Sequence, residues 1–182
     1  MRVITGTARG RRLREPEGMN IRPTSDMVKE AMFSIIQFDI EGRRVLDLFA
    51  GTGQLGIEAK SRGAAEVVFV DEAKDAVKLI RDNLEHCELE GTVVQRDALR
   101  YIERAEKFDL ILIDAPFEGK LCEKALKKIY EFDILTEGGI IICETSSETT
   151  LPDLPAPIVK KREYRYGKIK LTKYVKEVEA AD

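Results

Sequence analysis

The chain has 182 residues, 43% hydrophobic and 35% charged, with a net charge of −3. That length suits a single domain able to bury its own core. No apolar run approaches the roughly 20 residues of a membrane span, and the first residues lack an apolar signal core. Cys87, Cys122 and Cys143 lie far apart with no C-x-x-C, and His86 is the sole histidine. Together these features disfavour secreted, membrane, zinc-bound and histidine-based triad-hydrolase classes, and the expected compartment is the cytoplasm.

The net charge hides an asymmetry. Residues 1–22 hold six arginines and two glutamates, a surplus of +4. Residues 160–176 hold eight lysines and arginines and one glutamate, a surplus of +7. The other 143 residues therefore carry −14. Cations gathered at both ends fit a polyanion partner. The bland alternative is a pair of solvated charged edge strands, because lysines protect sheet edges from pairing.

Taken in chain order, Arg2–Thr5 reads as a short strand and Arg9–Arg14 as a basic loop or hairpin arm. Residues 1–22 thus form a basic N-terminal arm, and residues 23–182 one structural unit. A helix is predicted over Thr24–Phe38, with the stripe Val28, Ala31, Met32, Ile35 and Ile36. Thr24 or Ser25 caps it after Pro23. Runs rich in Val, Ile and Leu follow at Arg44–Leu48, Glu66–Asp71, Phe108–Asp114 and Gly139–Glu144, with a shorter one at Thr92–Arg96. They are nearly continuous rather than alternating, as in strands buried on both faces of a parallel sheet. Between them, Ala73, Ala76, Val77, Ile80 and Leu84 fall at helical spacing, as do Cys122, Ala125, Leu126, Ile129 and Tyr130. Strand and helix alternating in this way give an α/β fold with a doubly wound, mostly parallel sheet. Leu151–Pro157 carries three prolines and reads as a connection. Ile158–Tyr166 and Lys168–Lys176 flank Gly167 and predict an antiparallel hairpin. Glu177–Asp182 is expected to fray.

Chemistry concentrates first in the loop after Arg44–Leu48. Phe49-Ala50-Gly51-Thr52-Gly53-Gln54-Leu55-Gly56 joins that strand to a helix. Glycines there let the backbone turn tightly and approach a ligand, and the helix N-terminus offers free N–H groups. Asp71 ends the next strand, and its carboxylate can accept two hydrogen bonds from ribose hydroxyls. Two cofactor classes fit. Gly51-x-Gly53-x-x-Gly56 matches the dinucleotide fingerprint. S-adenosylmethionine uses a similar loop but presents a sulfonium and an amino group instead of a pyrophosphate. Asp47, Asp71, Asp97 and Asp114 all fall at strand ends, on the carboxyl edge where open α/β sheets bind ligands. Four acids there favour the cationic cofactor. Asp97 either accepts from an adenine amino group or caps the next helix.

The second concentration is Asp114-Ala115-Pro116-Phe117. An aspartate, a stiff turn and an aromatic ring can hold an exocyclic amino group. Asp114 accepts one N–H, the carbonyl of Ala115 the other, and Phe117 stacks on the base. The amine's lone pair, otherwise delocalised into the ring, is thereby aimed at a methyl donor. No strong general base is required. A hydrogen bond to a charged group contributes roughly 1.5–3 kcal/mol, and base–aromatic stacking roughly 1–3 kcal/mol. The target base must leave its stack to enter. The alternative is an ordinary strand-ending turn, since Asp-x-Pro is common in turns.

On these residues the chain resembles the bacterial 16S rRNA guanine-N2 methyltransferases of the RsmD type. The resemblance spans Met1-Arg2-Val3-Ile4-Thr5-Gly6 with Arg9-Gly10-Arg11, Arg22-Pro23-Thr24 with Glu30 and Met32-Phe33, and Leu46-Asp47-Leu48-Phe49-Ala50-Gly51-Thr52-Gly53. It continues through Arg96-Asp97-Ala98 to Asp114-Ala115-Pro116-Phe117. It implies a seven-stranded Rossmann-like methyltransferase sheet with a final antiparallel pair. It also implies methyl transfer from S-adenosylmethionine to N2 of one guanine in 16S ribosomal RNA. The family usually has Asp-Pro-Pro before Tyr or Phe; here Ala115 takes the second place, where a main-chain carbonyl still serves.

The expected catalytic set is Asp114, Ala115, Pro116 and Phe117. The expected cofactor contacts are Thr24, Asp47, Phe49, Ala50, Gly51, Thr52, Gly53, Asp71, Glu72, Asp97 and Ala98; a plain helix cap explains Thr24 equally well. Arg9, Arg11, Arg12, Arg22, Lys168 and Lys170 are expected to grip phosphates, although Arg22 can instead pair with Glu30. The expected partner is 16S ribosomal RNA within an assembling small subunit, met by a monomer with no metal and no membrane. The alternatives are a DNA adenine-N6 or protein-glutamine methyltransferase, or a non-catalytic RNA-binding protein on the same fold.

Overall fold

The computed structural model describes residues 1–18 and 24–180. Arg22 and Pro23, expected to matter to function and helix entry, lie outside the described residues. The first helix, α1 (Asp26–Ile35), is shorter than predicted at both ends. Ser25 caps it, its hydroxyl accepting from the Val28 N–H at 3.3 Å. Past Ile36 the chain tightens into a turn, with the Asp39 N–H donating to the Ile36 carbonyl, and Phe38 is left exposed.

Seven strands follow: β1 (Arg44–Leu48), β2 (Glu66–Asp71), β3 (Thr92–Gln95), β4 (Phe108–Ile113), β5 (Leu135–Ser146), β6 (Ile158–Tyr166) and β7 (Ile169–Lys176). They form one sheet in the order β3-β2-β1-β4-β5-β7-β6. The first five are parallel, and β7 runs antiparallel to both β5 and β6. The doubly wound sheet and terminal hairpin predicted from the run order are present. β5 begins at Leu135 rather than Gly139, because Leu135 already pairs with Phe108; after an irregularity the register resumes at Ile140 opposite Leu110. Four more helices complete the chain: α2 (Gln54–Ser61), α3 (Lys74–His86), α4 (Ala98–Ile102) and α5 (Leu121–Phe132).

Side-chain alternation sorts the strands between two cores. Val45, Leu110, Leu112, Ile140 and Ile142 pack with Met32, Phe33 and Ile36 of α1 and its turn, Ile57 of α2 and Ile80 of α3. Leu46, Leu48, Ile111, Ile113, Ile141 and Cys143 pack with Ala98 and Ile102 of α4 and Leu126 and Ile129 of α5. Each such aliphatic side chain contributes roughly 1.5–3 kcal/mol on full burial. The same period-two rule places Asp47, Asp114 and Glu144 in step with Val45, Leu112 and Ile142, on the α1 side of the sheet.

The predicted strand at Arg2–Thr5 reduces to an isolated antiparallel bridge between Arg2 and Arg12. Its backbone is claimed by α2 instead. The Ile4 and Thr5 N–H groups donate to the two oxygens of Glu58, at 2.8 and 3.1 Å, and the Ala8 N–H donates to Ser61 Oγ. Glu58 is fully buried and pairs with Lys29 of α1 at 3.9 Å and with Arg62 at 3.2 Å. Burial holds the Lys29 ammonium below its usual pKa, with the Glu58 charge opposing that shift. The arm is thus fastened to the two helices that flank the site.

Candidate active site

The chain winds outward from β1 through β2 to β3, then returns so that β4 lies on the other side of β1. Ligands of open α/β sheets bind at such a switch point, outside the carboxyl ends of the strands. A cleft of about 730 Å³ opens there. It is lined by Thr24 before α1, Asp47, Phe49, Ala50, Gly51, Thr52 and Gln54 along β1 and its loop, Asp71 and Glu72 at and after the end of β2, and Asp97 and Ala98 after β3. Asp114–Glu118 after β4 and Glu144 of β5 complete it. Seven of the described lining residues are Asp or Glu and none is Lys, Arg or His.

The glycine loop owes its shape to particular contacts. Gly53 caps α2 with φ of 80°, a left-handed conformation that a side chain would strain. Gly56 is needed for a different reason, since a Cβ there would sit 2.3 Å from the Phe69 ring of β2. The third glycine therefore serves close helix–sheet packing and not ligand approach. Asn83 of α3 donates to the Thr52 carbonyl at 3.1 Å, bracing the loop from behind.

Each acid has its own state. Asp47 lies within β1 and not at its end, 1% exposed. Its Oδ2 accepts the Gly56 N–H at 2.9 Å, while Oδ1 is buried without a partner. Burial pushes its pKa well above the carboxylate range; the Gly56 bond opposes this, and the Asp114 and Asp71 charges add to it. Asp71 is already engaged by the backbone: Oδ2 takes the Gly51 N–H and Oδ1 the Ala73 N–H, both at 2.9 Å. One lone pair on each oxygen is left for a ligand. Asp97 caps α4, its Oδ1 accepting the Arg100 N–H at 3.0 Å. The capping role is therefore present, and the residue also lines the cleft.

Asp114 follows β4, with Ala115 buried, Pro116 exposed and the Phe117 ring 46% exposed at the mouth. Desolvation raises the Asp114 pKa to about 6, against the lowering effect of a hydrogen bond from Thr24. Thr24 is not the helix cap. Its hydroxyl lies 2.8 Å from Asp114 Oδ2 and 2.9 Å from Glu144 Oε2. Glu144, absent from the sequence-based site, is 5% exposed. Its signal was its parity with Ile140 and Ile142 at the end of the strand beside β4. Gln54, whose Nε2 donates to the Thr24 carbonyl and whose Oε1 is buried without a partner, carried no such signal.

The expected phosphate grips divide. Arg9, Arg12 and Lys168 are exposed. Arg11 bridges the arm to the end of α3, donating to Glu88 at 2.7 Å and to the His86 carbonyl at 2.8 Å. Lys170, expected at the surface, is instead buried on β7 beside Glu163 at 3.7 Å, because its strand position faces the core. It cannot reach a phosphate at the surface.

Residues 1–175 match the family described as conserved hypothetical protein 95. A putative rRNA methyltransferase of Bacillus subtilis, YlbH, is 39% identical over 92% of this chain and 94% of its own length. The ribosomal RNA small subunit methyltransferase D of Haemophilus influenzae is 33% identical over 83% of this chain and 81% of its own length. The chain belongs to the RsmD methyltransferase family. Among solved structures, a putative methyltransferase of Escherichia coli, yhhF, superposes with a TM-score of 0.89 at 28% identity, over 98% of this chain and 99% of that one. The fold expected from the resemblance is the fold of the family. Among the described residues, no helix is long and apolar enough to cross a membrane.

Proposed function

We propose that this RsmD-family chain transfers a methyl group from S-adenosylmethionine to the exocyclic N2 amine of a guanine in small-subunit ribosomal RNA. The observation that carries it is the acid cleft, with its unpartnered Asp47 oxygen, ending at Asp114 and the exposed Phe117 ring. A dinucleotide pyrophosphate would meet carboxylates there and no described cation. A cation fits. Asp47 Oδ1 and Gln54 Oε1, buried and without partners, suit the donors of an amino-acid ammonium group. Asp71 has a lone pair on each oxygen for ribose hydroxyls, and the second oxygen of Asp97 suits an adenine amino group. Phe49, Ala50, Gly51, Thr52, Gly53, Glu72 and Ala98 shape the wall between them. When bound, S-adenosylmethionine supplies an electrophilic methyl group on a sulfonium.

The chain's own residues handle the acceptor. Phe117 stacks on the flipped base. Asp114 and the Ala115 carbonyl accept the two N–H bonds of the amine, with Pro116 stiffening the turn. Two acceptors draw the nitrogen toward tetrahedral geometry and aim its lone pair into the cleft. Only ionised Asp114 accepts, so the acid limb of activity is expected near pH 6. Arg9, Arg12 and Lys168, with Arg11 once it leaves Glu88, are the cations assigned to phosphates. The substrate is the RNA as carried in an assembling subunit, the enzyme acts as a monomer, and its place is the cytoplasm.

Small subunits from a strain lacking this protein, digested to nucleosides, test the proposal. Loss of one N2-methylguanosine per subunit is expected. Unchanged RNA with altered N6-methyladenine in DNA or methylglutamine in protein overturns it. Initial rates on stripped RNA and on particles test the substrate form, and faster turnover of stripped RNA refutes the particle.

A further inference from the structure

Asp114, Thr24 and Glu144 form a row of three oxygens, 2.8 and 2.9 Å apart, with Thr24 and Glu144 buried and Asp114 half-buried, after β4, near the end of β5 and just before α1. A hydroxyl has one proton. Thr24 therefore donates to one carboxylate only. Its contact with the other is a hydrogen bond only when that carboxyl carries a proton of its own. With both acids ionised the row is one proton short. With one proton added it is complete, Asp114 donating to Thr24 and Thr24 donating to Glu144. The row is thus shaped to receive a proton at its Asp114 end, where the amine is held.

We infer that Glu144 is a positioning residue that, through the Thr24 hydroxyl, lets Asp114 take up the proton displaced by methylation. This rests on the function proposed above. Methylation of the amine forms one N–C bond as the S–C bond breaks, its electron pair staying on sulfur. The nitrogen then gives up one proton. That proton goes to Asp114 Oδ2, the Asp114 hydrogen bond to Thr24 forms, and the Thr24 proton turns to Glu144 Oε2. The proton reaches water after the product leaves. Charge favours this direction. The charged groups facing Asp114 are Asp47 from β1 and Glu144 from β5, with Glu118 and Glu72 farther along the cleft, and no described cation lines it. A proton arriving on this desolvated carboxylate removes a charge that burial disfavours. Desolvation raises the Asp114 pKa to about 6 against the lowering effect of the Thr24 hydrogen bond.

Thr24→Val, Thr24→Ser and Glu144→Gln separate this from a merely structural contact. Two readouts are needed: the pH profile of kcat/KM for RNA, and a carboxyl-carbon NMR titration of Asp114 in the ligand-free protein. Thr24→Val removes a donor from Asp114, so its titration and the acid limb are expected to rise by about one pH unit. Glu144→Gln removes a neighbouring negative charge, so both are expected to fall by about one unit. In each variant kcat at pH 8 is expected to fall about tenfold, the loss of one hydrogen bond to a charged group. Affinity for S-adenosylmethionine stays within about twofold, below the effect of any single hydrogen bond to a charged group. Thr24→Ser restores the wild-type profile. Titrations that stay put, or that shift the same way in both variants, overturn the inference, as does failure of serine to restore. Should Thr24→Val not fold, the downward shift in Glu144→Gln decides by itself. Wild-type protein that methylates no RNA amine defeats the proposed function instead, while the NMR titration of the ligand-free protein still judges the row.

Discussion

The cleft and the two basic ends hold opposite charges, and they keep them in opposite ways. In the cleft, Asp47 is buried with Oδ1 left without a partner, and desolvation raises the pKa of Asp114 to about 6. At the ends, several of the cations counted in the sequence are already engaged within the fold. Lys170 is buried against Glu163, Arg11 is tied to Glu88, and Lys176 donates to Asp133 and to the Leu135 carbonyl. An unsatisfied buried acid costs stability and persists where a ligand completes it. A satisfied cation contributes to folding and adds little to a distant partner. Charge counting alone therefore overstates the RNA surface and understates the cleft.

The sharpest way to break the contrast is Asp114→Ala. It is expected to lower methyl transfer at least about a hundredfold, since a charged acceptor and its alignment of the amine are lost together. Binding of S-adenosylmethionine is expected to survive, as equilibrium titration would show. Loss of cofactor binding instead would move Asp114 into the cofactor site.

Next in size is Asp47→Asn. Cofactor affinity is expected to fall about tenfold or more with one charged hydrogen bond gone. The ligand-free variant should melt higher than wild type near pH 8. The sign follows from linkage: the folded-state pKa of Asp47 is raised, so its favourable contribution is present at low pH and fades as pH climbs. The difference in melting temperature should therefore shrink on acidification. Equal melting at every pH would show that Asp47 is not strained in the free protein.

A smaller effect distinguishes the cations. Replacing Arg9, Arg12 and Lys168 together by Ala is expected to flatten the salt dependence of RNA binding, by about 0.7–0.9 log units per log unit for each phosphate no longer neutralised. Lys170→Ala should leave that slope unchanged and destabilise the fold by about 1–2 kcal/mol, because its partner Glu163 is partly solvated. An altered slope in Lys170→Ala would return that residue to the RNA surface. The smallest expected change is Ala115→Pro. Stiffening the turn should add about 0.4–1 kcal/mol of stability with methyl transfer retained.

Much of the fold was legible because its strands are continuous apolar runs and its helices carry clear stripes. The ligand-binding carboxyl edge of the sheet followed from the glycine loop and the acids near the strand ends. Tertiary competition hid the rest. Arg2–Thr5 has strand residues, but Glu58 of α2 takes two of its N–H groups. Leu135–Gly138 has a broken pattern, yet Leu135 pairs with Phe108 of β4 and extends the strand across an irregularity. Asp71 was singled out for a ligand, but it also bonds two backbone N–H groups of the chain, which no spacing reveals; the Asp97 cap was one of the two readings its position offered. Lys170 counted as surface because its neighbours are cations, whereas strand alternation turns it inward. Glu144 was visible only as the last residue of an apolar run; its role needs Thr24, 120 residues away in sequence, at 2.9 Å.

Calorimetric titration of the purified protein at pH 8 with S-adenosylmethionine, with its neutral thioether product and with NADH decides whether the cleft is built for a cation. Saturable binding of the methyl donor, weakened about tenfold or more by Asp47→Asn, with no NADH binding, is the expected result. NADH binding in the cleft, or a methyl donor indifferent to Asp47, would contradict it.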